Sequence, residues 1–415
     1  MAFGQTMCLV RERNNRIRKT EPPPAFFMTV KRADTKDPAS APSQPAFPNA
    51  VLHIDLAALA QNYRMFAAEA APAECAAAVK GDAYGLGIEP VARTLWAAGC
   101  KTFFVALTQE GLTLRALLPD AVIYVLNGLA PDAAGTLAGA SLRPVLSSLE
   151  EIEEWAAWCR AHDQRLPAAL HIESGINRLG LTAADVERLA EEPERLEGFE
   201  LALVISHLVS GDMPEDEVNA LQVERFEALR ARLPAAPASL ANSPGSLSGP
   251  DFRFDLVRVG IGLYGGEPYS VGPSRVKPVV RLVSKLAQVR AVEAGQSVGY
   301  GATWTAERDS KVAVIPVGYY DGYPRSLSSA QDLPHAWVSI GGHRVPLVGR
   351  VSMDMITVDV TDLPDDLAKR GQKAELFGAS PTVDELATRA GTISYEVFTG
   401  LGSRFARVYS RNESL

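Results

Sequence analysis

Apolar and polar positions along this chain keep one rhythm from residue 51 to about 279 and another after it. In the first stretch, short apolar runs alternate with segments whose apolar positions recur every three to four residues. Residues 51–54 read as a strand, and Asp55 stands where an N-cap belongs for a helix through about Ala68. Further strands are expected at 76–80, 102–106, 122–126, 142–146, 168–173, 200–206, 239–241 and 256–259. Helical periods fill 88–98, 110–117, 149–162, 183–191 and 215–233. Alternating strands and helices imply βαβ units and a parallel sheet. About eight such units predict an α/β fold with a (β/α)8 TIM-type barrel. An open doubly wound sheet would want a glycine-rich turn after its first strand. The turn after Ile54 has no such glycines.

After Val279 the helical periods stop. Residues 282–292, 312–317, 337–340, 344–348 and 355–360 are apolar and β-branched, and Gly341-Gly342 is a hairpin signal. A C-terminal, mainly β domain is expected, with one short helix at 382–390. Residues 1–48 show no period and are rich in Arg, Pro, Ser and Ala, including Pro22-Pro23-Pro24. The expected division is a disordered tail at 1–48, a barrel at 49–280 and a β domain at 281–415. The basic segment 11–19 lacks the apolar run of a secretory signal. An organellar transit peptide or a later start at Met28 are the other readings of this tail.

Composition narrows the class. The 415 residues are 47% hydrophobic and 22% charged, with net charge −8. That balance argues against a nucleic-acid or anionic-membrane surface. No apolar stretch reaches the length of a membrane span. Cys8, Cys75, Cys100 and Cys159 form no paired motif, which reads as reduced thiols of a cytoplasmic protein without a metal cluster.

Polar and glycine signals cluster just after the strands. They are Lys80-Gly81-Asp82, Glu173 to Arg178, Ser206-His207, Asn242-Ser243 and Arg258 to Ile261. A barrel gathers all of them on its carboxyl face, where active sites sit. Lys80 ends an apolar strand and opens Lys80-Gly81-Asp82-Ala83-Tyr84-Gly85-Leu86-Gly87. Read alone it is a strand-end lysine with its head in water. A buried lysine is costly unless neutralised, paired or used covalently.

The segment Val79 to Gly87 resembles the cofactor-lysine signature of the alanine racemases, with Gly81 where that family usually has Ala. The resemblance runs from about Val51 to Tyr409. It implies a pyridoxal 5'-phosphate enzyme that interconverts L- and D-alanine by a two-base mechanism, supplying D-alanine for peptidoglycan. Lys80 would hold the cofactor covalently and act as one base. Tyr300, in Val298-Gly299-Tyr300-Gly301-Ala302-Thr303-Trp304, would be the other, although alone it reads as an ordinary β-domain tyrosine. The family brings the two together in a head-to-tail homodimer, in which each β domain completes the partner's barrel.

The resemblance also implies that Arg258 faces the pyridine nitrogen and that Tyr84, Ser243, Gly260 and Ile261 cradle the phosphate. His207 would link Tyr300 to Arg258. Arg178 and the Met353 amide would bind the substrate carboxylate, and Tyr319 and Asp354 would line the approach. His171 stands where some members carry a carbamylated lysine, so no carbamate is expected. Ser403 replaces a phosphate-contacting tyrosine. Two alternatives stay open: a racemase for serine, lysine or a broad set of amino acids, and a non-catalytic pyridoxal-phosphate homeostasis protein.

Overall fold

The computed structural model describes residues 47–270, 272, 274–329 and 336–411. The expectation for residues 1–46 lies outside them. Eight parallel strands form the barrel: β2 (Glu74–Ala78), β3 (Thr102–Val105), β4 (Val122–Val125), β5 (Arg143–Leu146), β6 (Pro167–His171), β7 (Glu200–Ile205), β8 (Ala238–Ser239) and β9 (Leu256–Val259). From β2 to β8 each pairs with the next in sequence, and β2 also pairs with β9. Between β8 and β9 the ring is stitched by Asp255 N donating to Ala238 O at 3.0 Å and by Arg258 N donating to Ala241 O at 2.9 Å.

The two-residue period of a strand decides what enters the barrel. Ala76, Phe104, Tyr124, Val145, Ala169, Leu203, Ile205 and Leu256 form the interior cluster. Their neighbours Cys75, Ala77, Phe103, Val105, Ile123, Val125, Val257 and Val259 face the helices. By the same alternation, His171 lies on the inward face two residues after Ala169, and Arg258 two residues after Leu256.

One strand departs from the alternation. The run at 51–54 is a strand, β1 (Ala50–Asp55), but it does not join the barrel. It pairs antiparallel with Val280–Lys285 and parallel with Ala406–Ser410. The C-terminal sheet has six strands in the order His343–Pro346, Trp337–Ile340, Lys373–Phe377, Val280–Lys285, β1 and Ala406–Ser410. β1 lies inside this sheet, with both edges hydrogen-bonded by Val280–Lys285 and Ala406–Ser410, and then leads into the first barrel helix. Asp55 caps that helix, Leu56–Ala70, through the amides of Ala57 and Ala58. Gly341 and Gly342 turn the expected hairpin with φ of +60° and +87°, the sign both central residues of such a turn require. A three-stranded sheet and the small hairpin Ser297–Val298/Trp304–Thr305 complete the β domain, and Tyr300 sits at that hairpin's tip. A helix not anticipated from the sequence, Ser394–Thr399, packs against the turn after Lys80.

Candidate active site

Lys80 follows β2 at the carboxyl end of the barrel. The chain then runs through four consecutive residues of left-handed backbone: Gly81 (φ +64°), Asp82 (+53°), Ala83 (+54°) and Tyr84 (+58°). Such backbone costs roughly 1–2 kcal/mol per non-glycine residue, so the surroundings must hold it. Asp82 Oδ1 accepts from Ile88 N at 2.7 Å, and Glu110 Oε1 accepts from Gly81 N at 2.7 Å. Arg407 Nη2 donates to Gly85 O at 3.0 Å. The Tyr84 ring packs on Tyr264 with centroids 4.6 Å apart. Burial lowers the pKa of the Lys80 amine; Arg178 and Arg258 push the same way, against Glu110.

Arg258 enters from β9 and is buried. Its Nη1 donates to Ser239 O at 2.8 Å and Ser239 Oγ at 2.6 Å, and its Nη2 to Ser206 O at 2.5 Å. None of these contacts uses Nε. Burial lowers its pKa to about 10, which leaves the guanidinium charged. His207 Nδ1 lies 3.4 Å from Arg258 Nη2. Burial and then the Arg258 charge push His207 down to about 3, so it is neutral at physiological pH. His171 is likewise neutral, held at about 4 by burial, Arg258 and Arg178. Its Nδ1 is 3.5 Å from the Ser147 hydroxyl, and its buried Nε2 has no partner among the described residues.

The loop after β8 and the turn after β9 meet at Ser243. Its hydroxyl accepts from Gly260 N at 2.8 Å and Gly262 N at 3.4 Å. The Tyr84 hydroxyl closes over them: a Cβ on Gly260 would stand 2.4 Å from it. Ser243, Gly260 and Tyr84 thus meet at one place at the carboxyl end of the barrel, with the Ile261 amide next along the chain. That donor set fits a phosphate, and a charged guanidinium with no carboxylate among its partners fits a neutral ring nitrogen. The residues therefore fit pyridoxal phosphate.

Sequence patterns missed the supports of this group. Gln222, fully buried, donates to His207 O at 2.9 Å and Ser174 Oγ at 3.2 Å and accepts from Val209 N at 2.8 Å. Ser239 anchors Arg258. Neither lies in a recognisable motif, and only the tertiary hydrogen bonds of Gln222 from its helix and of Ser239 from β8 reveal them.

The β-domain residues form a second group. Tyr319 N donates to Ser352 O at 3.0 Å and Tyr320 N to Met353 O at 3.0 Å, which places Tyr319 beside Met353 and Asp354. Arg404 joins them, with Nη1 on Asp354 Oδ1 at 2.8 Å and Nε on the buried Asp321 at 2.6 Å. Ser403, beside it, is exposed. Tyr300 is 73% exposed. Among the described residues no hydrogen bond or ring contact joins Tyr300 to any barrel residue. Hydrogen bonds thus tie Arg258, His207, Ser243 and Gly260 into a barrel group and Tyr319, Met353 and Asp354 into a β-domain group, and among the described residues none joins Tyr300 to the first.

Fold and cradle define a pyridoxal-phosphate enzyme of the barrel-plus-β-domain class. The "Alanine racemase, N-terminal domain" family matches residues 54–268, and "Alanine racemase, C-terminal domain" matches 279–409. The chain belongs to the alanine racemase family. It is 49% identical over 358 residues to an alanine racemase of Methylobacterium sp. (strain 4-46), covering 86% of this chain and 97% of the relative. It is 44% identical over 373 residues to that of Brucella abortus (strain 2308), covering 86% and 93%. The alanine racemase structure from Bartonella henselae, with covalently bound pyridoxal phosphate, superposes with a TM-score of 0.83 at 39% identity, covering 87% of this chain and 99% of that one. The biosynthetic enzyme from Pseudomonas aeruginosa gives 0.80 at 35%, covering 88% and 99%.

Proposed function

We propose that this chain interconverts L- and D-alanine with Lys80 and Tyr300 of the partner subunit as the two bases, and that it supplies D-alanine for peptidoglycan. Pyridoxal phosphate, when bound, draws electrons from the substrate and acidifies its Cα–H bond. Lys80, with its lowered pKa, holds the cofactor and moves the proton on one face of that carbon. Tyr300 moves it on the other. Arg258 keeps its charge and offers Nε to the ring, so it cannot take a proton from it. With that charge, Arg258 would leave a bound ring nitrogen unprotonated, which would favour simple reprotonation over other fates of the substrate. Neutral His207 accepts from Arg258 and fixes its plane. Tyr84, Ser243, Gly260 and Ile261 hold the phosphate. Arg178, exposed at the barrel mouth, and the Met353 amide receive the substrate carboxylate, with Tyr319 and Asp354 along the approach.

The observation that carries this reading is the buried Arg258 with its three carbonyl and hydroxyl anchors. The exposure of Tyr300 (73%) and Met353 (50%) supports a homodimer with shared sites. Among the described residues no helix is long and apolar enough to cross a membrane. Cys75, Cys100 and Cys159 are free and buried, in keeping with a cytoplasmic setting. The test is a racemisation assay of the cofactor-loaded protein. Conversion of alanine in both directions, well above that of serine and lysine, is expected. No racemisation of any amino acid would overturn the proposal, and faster turnover of lysine or serine would reassign the substrate.

A further inference from the structure

We propose that Glu110 is a positioning residue for Lys80, its carboxylate clamping the left-handed turn that aims the lysine. Glu110 is the third residue of the helix Thr108–Leu117, which follows β3, the strand beside β2. One of its oxygens does ordinary capping work: Oε2 accepts from Ala106 N at 2.7 Å and Leu107 N at 3.2 Å. The other leaves the helix and accepts from Gly81 N at 2.7 Å, across 29 positions of sequence. That bond fixes the Lys80–Gly81 peptide plane, and the plane sets how the Lys80 side chain leaves the backbone.

The clamp matters because the turn is intrinsically unfavourable. Gly81 begins the left-handed run at φ +64°, and Asp82, Ala83 and Tyr84 continue it with side chains that disfavour it. Without the carboxylate the Gly81 amide loses its partner and the run loses its first restraint. The charge has a second effect. The groups facing the Lys80 amine are Arg178 from the loop after β6, Arg258 from β9, His207 from the loop after β7 and Glu110. Both arginines are cationic and His207 is neutral, so Glu110 is the group that favours the protonated amine.

This inference rests on Lys80 being the cofactor lysine. Glu110→Gln keeps the size, removes the charge and turns an N–H2 toward amide donors. In the cofactor-loaded full-length protein, the pH midpoint of the bound-cofactor absorbance should fall by about 0.5 unit or more. The kcat should fall roughly tenfold with KM within about twofold. A merely structural cap would change thermal stability and leave the midpoint in place. Should the variant not fold, hydrogen exchange of the wild-type Gly81 amide decides: slow exchange is expected, and exchange at the rate of a free peptide would overturn the clamp. Lys80→Ala separates the two failures. Absorbance retained in Lys80→Ala would overturn both readings. An unmoved midpoint and kcat in folded Glu110→Gln, beside a Lys80→Ala that has lost its absorbance, would overturn this inference alone.

Discussion

The Arg258 guanidinium and the His207 imidazole meet at 3.4 Å, Nη2 to Nδ1, with Ser239 and Ser206 holding the guanidinium from behind. A planar fork seated on three acceptors is not replaced by an ammonium. Arg258→Lys should lower kcat/KM by roughly tenfold or more and leave carbonyls short of donors, at about 1–3 kcal/mol of stability. Steady-state kinetics and urea unfolding measure the two effects. A variant with wild-type kcat/KM would remove Arg258 from the chemistry.

The two neutral histidines give stability a pH slope of known sign. Their folded pKa values, about 4 for His171 and about 3 for His207, lie below the ordinary 6.5. The unfolded chain therefore binds protons first as pH falls. Their contribution is complete above pH 6.5 and is lost progressively toward pH 4 and below, at up to about 1.4 kcal/mol per unit for each group. Urea unfolding between pH 7 and 4.5 should show a shallower decline for His171→Asn than for the wild type. Equal slopes would mean that His171 is not held neutral.

Two glycines separate backbone strain from steric exclusion. At Gly81 an added Cβ meets nothing nearer than Thr399 Cγ2 at 4.0 Å, so Gly81→Ala should cost only the left-handed penalty of roughly 1–2 kcal/mol. At Gly260 the same Cβ would strike the Tyr84 hydroxyl at 2.4 Å. Gly260→Ala should weaken cofactor retention at least about tenfold, a loss of at least about 1.4 kcal/mol in binding. Equilibrium dialysis compares the variants, and tight retention in Gly260→Ala would contradict the phosphate cradle.

The barrel was legible because parallel strands buried on both faces read as continuous apolar runs. That is why 102–105, 122–125 and 256–259 fall where the pattern puts them. The same rule misplaced β1. An apolar run does not say which sheet will pair it, and the partners of Val51–Ile54 lie at 280–283 and 406–409. At the site, Gly81, Gly85 and Gly87 marked a turn, yet nothing in Ala83 or Tyr84 announced positive φ, because tertiary contacts impose it. Glu110 was legible as a helix-start acid but not as the acceptor for Gly81. Ser239 and Gln222 were silent, since a serine in a strand or a glutamine in a helix carries no mark of its partner.

Tyr300 and Lys80 should fail asymmetrically. Tyr300→Phe should slow proton loss from L-alanine more than from D-alanine, by about 100-fold or more. Deuterium washout into each enantiomer measures the two directions separately. Equal slowing would argue that Tyr300 serves both faces or neither.

The central claim, that each site joins one chain's Lys80 to Tyr300 of the partner subunit, is tested by mixing two inactive variants. Lys80→Ala and Tyr300→Phe, unfolded and refolded together, would form hybrids with one intact site of the two, the other carrying both substitutions. Random pairing then predicts recovery of roughly a quarter of wild-type activity. Recovery of no activity, with hybrid dimers shown to be present, would mean that the two bases act within one chain and would contradict the account.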